Sequence, residues 1–112
     1  MIITKESPFT KEEIEKLKEY FDPYIKTVVD VENEICSAGS DRHHDSEQIL
    51  LKEGSKQKNL WGGGIDLETK TIDFNSFINI RPHDNNTSNE IQDATIREKY
   101  KKLSGHFFKE VL

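Results

Sequence analysis

In the stretch "RHHDSE", His43, Asp45 and Glu47 stand at alternate positions, and His44 and Glu47 stand three apart. Imidazole and carboxylate suit zinc, manganese or iron, and a catalytic metal site needs about three protein ligands plus an open position. That makes His43, Asp45 and Glu47 the candidate metal ligands, or an acid and base pair without metal. The competing reading is local. Asp45 is a good N-cap for a helix with Gln48 as its box partner, Glu47 a favourable first-turn charge, and the paired histidines simply solvated. No second dyad at ligand spacing follows, which favours the local reading.

The other candidate chemistry centres on Arg81, in "FINIRP". A period of two through "TIDFNSFINI" points Ile72, Phe74, Ile78 and Ile80 inward and puts Asp73, Asn75, Phe77, Asn79 and Arg81 on the opposite side. Pro82 then turns the chain and is expected to expose the planar guanidinium, which suits a carboxylate or phosphate. Asn79 beside it, Trp61 as contact area and Gln57 complete the expected ligand-binding set. An ion pair between Arg81 and Asp73, Asp30 or Glu32 is the structural alternative. Trp61 precedes Gly62, Gly63 and Gly64, but a phosphate loop needs its glycines between a strand and a helix, with a lysine following. Here the glycines read as a bulge or close packing, and the indole as core or interface. Ser55 and Gln57 either satisfy a helix end or line a pocket. Cys36 has no catalytic signature and reads as a small buried apolar residue, although a dyad with His43 or His44 would need only a tertiary contact.

These groups must be positioned by a small set of elements. Thr10 and Glu13 have capping-box spacing, and Ile14, Leu17 and Phe21 share a face, which predicts a helix over 11–21 ended by Asp22 and Pro23. "YIKTVVDVENEICSAG" reads as a hairpin with strands near 24–32 and 34–38. A short helix from Asp45 to a stop at Gly54 follows. A second hairpin turns at 67–70. Asp93 then caps a helix whose apolar positions Ile96, Tyr100, Leu103, Phe107 and Val111 recur at helical steps. The order predicts an α+β domain over residues 1–112, in which two hairpins form an antiparallel sheet with the N- and C-terminal helices packed on one face.

Composition bounds the partners. With 16 Lys and Arg against 21 Asp and Glu, the formal charge is -5 over 112 residues, so attraction to a phosphate backbone is not expected to drive binding, and nucleic acid is disfavoured. A single cysteine permits no internal disulfide, and cytoplasm is the default compartment. No apolar run approaches the roughly 20 residues of a membrane span, and "MIITKESPF" lacks the apolar segment of a signal peptide. The overlapping sequons at Asn85 and Asn86 are then chance matches.

In chain order, "VVDVE", "HHDSEQILL", "EGSKQKNLWG", "FINIRP" and "NEIQDATIREK" together resemble a small prokaryotic family of unknown function. That family carries H-x-D-x-E, then G-S-K/R-Q-x-x-L-W-G, then I-N-I-R-P before a polar G-N-R-S-type segment and a helix start. The chain departs from it in "DNNTS", which lacks the arginine of the polar segment, and in the extra glycines of "WGGGID". The resemblance implies fold boundaries and a choice of residues, but no activity and no cofactor. Two functions are open on the residues. One is a non-enzymatic binding module for a small anion, an acidic peptide or another protein, a second copy included. The other is a small hydrolase or nuclease using His43, Asp45, Glu47 and Arg81. The first is preferred, because it asks for fewer coincidences. Arg81 and the segment His43 to Glu47 are expected within about 15 Å of each other if one small-molecule site holds both.

Overall fold

The computed structural model describes all 112 residues, in the order β1 (Ile3–Lys5), α1 (Lys11–Leu17), β2 (Tyr24–Asp30), β3 (Ile35–Ala38), α2 (His43–Lys52), β4 (Leu60–Asp66), β5 (Thr71–Asp73) and α3 (Ala94–Phe107). Single 3-10 turns lie at Gln57–Asn59, Phe77–Asn79 and Pro82–Asp84. The strands form one antiparallel sheet in the order β1-β3-β2-β4-β5. The expected α+β class and both hairpins hold, and β2 pairs with β4 from Tyr24 opposite Asp66 to Asp30 opposite Leu60. β1 is an addition that sequence reasoning missed. It pairs with β3 through three residues, too few for a period of two to stand out.

Alternation along β2 and β4 sorts the core into two layers. Ile25, Val29, Trp61 and Ile65 join Phe9, Ile14, Leu17, Tyr100, Phe107 and Phe108 beneath α1 and α3. On the reverse face Val28 and Leu60 meet Leu50 of α2, with Ile35, Leu51 and Ile78 around them. The terminal helices thus share one face as expected, while the middle helix covers the other. Thr27 points into the larger layer, where its hydroxyl stands 2.8 Å from that of buried Tyr100.

The three glycines of β4 follow from close approach on both faces. A Cβ on Gly63 would lie 2.3 Å from the Tyr100 hydroxyl, one on Gly64 2.3 Å from the Tyr24 ring, and one on Gly62 2.6 Å from Ser76 Cβ. The close-packing reading of "GGG" therefore stands, with a separate neighbour excluding a side chain at each position.

Several boundaries differ from expectation, each for a local reason. Thr10 and Glu13 form the full capping box of α1, but the helix ends at Leu17, because the chain must turn through Asp22 and Pro23 before β2 starts at Tyr24. Phe21 is consequently exposed rather than packed. Asp45 is not the N-cap of α2. The helix begins at His43 with Arg42 at the N-cap and no side-chain cap, while Ser40 Oγ accepts the Arg42 N–H at 3.1 Å and Asp45, in the first turn, accepts from Ser40 and Arg42. At the other end Gly54, with φ of +104°, lets its N–H reach Leu51 O and the Ser55 N–H reach Leu50 O. That paired closure is the Schellman arrangement. β5 stops at Asp73, and the inferred strand to Arg81 does not form: Ser76 Oγ accepts from Ile78 N and nucleates the 3-10 turn Phe77–Asn79 instead. The period-two reading beyond Asp73 fails with it. Asn79 and Arg81 are buried, whereas Phe77 is 86% and Ile80 44% exposed. No helix is long and apolar enough to cross a membrane.

Candidate functional site

Beyond Asp73 the rim of β4 has no strand beside it, and side chains take the strand's place. Asn79 accepts from Gly62 N through Oδ1 at 2.8 Å and donates through Nδ2 to Gly62 O at 2.9 Å, the pair of bonds a neighbouring strand would make. Two residues along, Arg81 Nη1 donates to Leu60 O at 2.8 Å. Asn86 ties the polar segment down in the same way, donating to Asn79 O, Ser88 O and Glu90 O and accepting from Gln92 N.

Arg81 is therefore a structural side chain. Its guanidinium lies 4.2 Å from the centre of the Trp61 ring, and only 3% of the residue is exposed. The acidic partner is Asp84, on the following 3-10 turn, and not Asp73, Asp30 or Glu32. Asp84 Oδ2 is 3.0 Å from Nε but off the N–H axis, so the contact is an ion pair without a good hydrogen bond, and Nη2 has no partner at all. Burial opposes the charge, offset by Asp84 and then Glu47. The fork expected to face a ligand is enclosed, and Asn79 and Trp61 are enclosed with it. Gln57 is exposed on its 3-10 turn. Ser55 instead donates to Asp30, whose buried carboxylate also takes the N–H groups of Glu32 and Asn33 and the Asn33 amide, tying the loop after α2 to the turn of the first hairpin.

His43, Asp45 and Glu47 do not converge, since alternate residues on a helix point in widely different directions. His43 Nε2 lies 2.6 Å from Gly63 O, Asp45 pairs with Arg42, and Glu47 is buried with Oε1 3.8 Å from His44 and Oε2 without a partner. No three His, Cys, Asp or Glu side chains are grouped to hold a metal ion. Cys36 is buried in the larger core layer, and burial pushes its thiol pKa far up, against thiolate chemistry.

Among the hollows on the surface, one cleft lies between the start of α2 and the turn at Ser76. Its volume is about 350 Å³, and it is lined by Lys26, Arg42, His43, His44, Ser76, Phe77 and Ile78. A second hollow shares Lys26, His43, Ser76 and Phe77 with it and extends toward Tyr24, Asn75 and Asn89. None of the lining residues is acidic. Arg42 is neutralised in part by Asp45, but Lys26 has no carboxylate within ion-pair distance: its ammonium donates to Asp41 O at 2.7 Å and stands 4.7 Å from the centre of the Phe21 ring. At the far end, the Tyr24 hydroxyl donates to Asp73 at 2.7 Å, and burial followed by that bond pushes the phenol far above its ordinary range. Arg81 donates to the carbonyl of Ile78, which lines the cleft, so the buried arginine supports the wall without reaching the opening.

Of the residues nominated from sequence, His43 and His44 reach this cleft. Lys26 and Phe77 were missed, and both carried a signal. Lys26 is the one charged residue inside the run "YIKTVV", and Phe77 is the one apolar residue in the alternate set Asp73, Asn75, Phe77, Asn79 and Arg81. No curated protein and no solved structure matches the chain. In keeping with the expectation of a family of unknown function, over residues 1–107 the chain belongs to the family described as "Protein of unknown function (DUF5674)".

Proposed function

We propose that the protein is a binding module for a small anionic molecule, held in the cleft between α2 and the Ser76 turn. What supports this is the composition of that cleft. In a chain of net charge -5, it gathers Lys26, Arg42, His43 and His44 and has no acidic lining residue. α2 also begins without a side-chain cap, so the first N–H groups and the positive end of its dipole favour an anion nearby. The volume lies at the small end of the range for small-molecule sites. Phe77, held out by the rigid turn, offers an apolar contact to the uncharged part of the ligand. Nucleic acid is not the intended partner on this reading, because the chain as a whole carries a net charge of -5.

The test is a thermal-shift screen of the full chain against small phosphates and carboxylates, repeated with Lys26→Met. A ligand at about 100 times its Kd adds roughly 2.7 kcal/mol of stability, several degrees for a domain of this size. The expected result is a saturable rise for at least one anion, with affinity reduced about tenfold or more in Lys26→Met. Saturable binding left unchanged by Lys26→Met would overturn the cleft as the site.

A further inference from the structure

The imidazole of His43 is oriented in a way that selects among anions. A carbonyl oxygen only accepts, so the 2.6 Å contact with Gly63 O requires the proton on Nε2. In the neutral ring Nδ1 then holds a lone pair. Nδ1 has no hydrogen-bond partner in the protein and is not among the sealed polar atoms, so it keeps contact with solvent on a residue that lines the cleft. Burial, partly offset by the Gly63 bond, holds the ring's pKa below its ordinary value, which keeps that lone pair in place near neutral pH. The cleft therefore presents a positive charge at Lys26 and a hydrogen-bond acceptor at His43 to the same occupant. A fully deprotonated oxyanion would satisfy the first and be repelled by the second.

We infer that the ligand carries a hydrogen-bond donor on or beside its charged group, as hydrogen phosphate and protonated phosphomonoesters do: its oxyanion faces Lys26 and its O–H donates to His43 Nδ1. The inference rests on the proposed anion-binding reading and narrows its ligand class. Ser76, whose Oγ accepts from Ile78 N, keeps its own hydroxyl proton available for the ligand's other oxygens.

Three probes separate charge from donor. Inorganic phosphate at neutral pH has an O–H, sulfate has the charge without it, and dimethyl phosphate has a phosphate centre without it. Each is titrated into the ¹⁵N-labelled full chain at matched ionic strength, following the amide signals of Lys26, His43, His44 and Ser76. Phosphate is expected to shift these signals saturably, at least about tenfold more tightly than sulfate or dimethyl phosphate, since a probe without a donor leaves a polar group unpaired. Sulfate binding as tightly as phosphate would overturn the donor requirement and leave the anion site standing. Failure of all three probes to shift any of these signals would overturn the anion site itself. In His43→Ala, with folding checked from the same spectra, phosphate is expected to fall to the level of sulfate. Retained preference would show that the selection lies elsewhere.

Discussion

Arg81 is the residue whose type and position promised most, and its surroundings explain why it is an arginine. It stacks on Trp61 through its plane and donates to two backbone carbonyls, Leu60 O and Ile78 O, through a single nitrogen, while its Nε faces Asp84. Lysine keeps the charge but has neither the plane nor the fork. Arg81→Lys is expected to cost about 2–3 kcal/mol in urea or guanidinium unfolding, since a buried ammonium would lose the stack and leave carbonyls unpaired. An exposed anion-binding arginine would give close to zero in the same measurement, so the experiment decides directly between the two roles. The sequence showed that this residue was special without showing which way it faced. Strand alternation was the sole guide to orientation, and one serine hydroxyl at Ser76 ends that alternation.

At the scale of elements, helix ends were the most legible features, because caps are written in a few adjacent residues. Thr10 with Glu13, Asp93 and Gly54 all act at the positions their types suggest. The start of α2 was not legible, because Arg42 stands at the N-cap without a capping side chain and Asp45, the obvious cap, lies inside the first turn. Two glycines test this account with opposite signs. Gly54 has φ of +104° and open space where a Cβ would sit, so Gly54→Ala meets no clash and carries only the backbone penalty, about 1–2 kcal/mol of destabilisation. Gly105, inside α3, also has open space and no left-handed backbone, so Gly105→Ala is expected to stabilise by about 0.5–1 kcal/mol. Both are read from equilibrium unfolding midpoints.

For the whole molecule, layering was half legible. Steps of three and four in α1 and α3 identified residues of the larger core, but "QILL" in α2 carries too few apolar positions to say which sheet face it covers. The assembled fold also sets a pH dependence. His43 has its pKa lowered from 6.5, so as pH falls below that value the unfolded chain takes up a proton that the folded chain resists. Stability is therefore complete above about pH 6.5 and declines below it, by at most about 1.4 kcal/mol per pH unit from this one group. Asp30 adds a loss at lower pH. Burial works against its carboxylate, but the bonds from Asn33, Ser55 and Glu32 prevail and hold its pKa below the ordinary value, so its contribution disappears as pH falls through the folded pKa. A series of melting temperatures from about pH 7.5 to about pH 5 should fall on acidification, and His43→Gln should flatten the upper part of that fall. An unchanged slope in the variant would assign the upper part to another group.

The replacement of a strand by Asn79 and Arg81 also bears on how this protein can fail. With those side chains in place, Gly62 and Leu60 present no free backbone groups to a newcomer along that rim. If the turn at Ser76 swings away, the same rim becomes an unprotected template for β-pairing with a second chain. The stretch "LWGGGI", buried in the intact fold, has no charge and no proline to discourage such pairing once its rim is uncovered, and its glycines fix register so weakly that an incoming strand could settle at several offsets. Two buried polar side chains therefore stand between the folded chain and an aggregation seed, and damage to either is expected to open that route before the rest of the fold is lost.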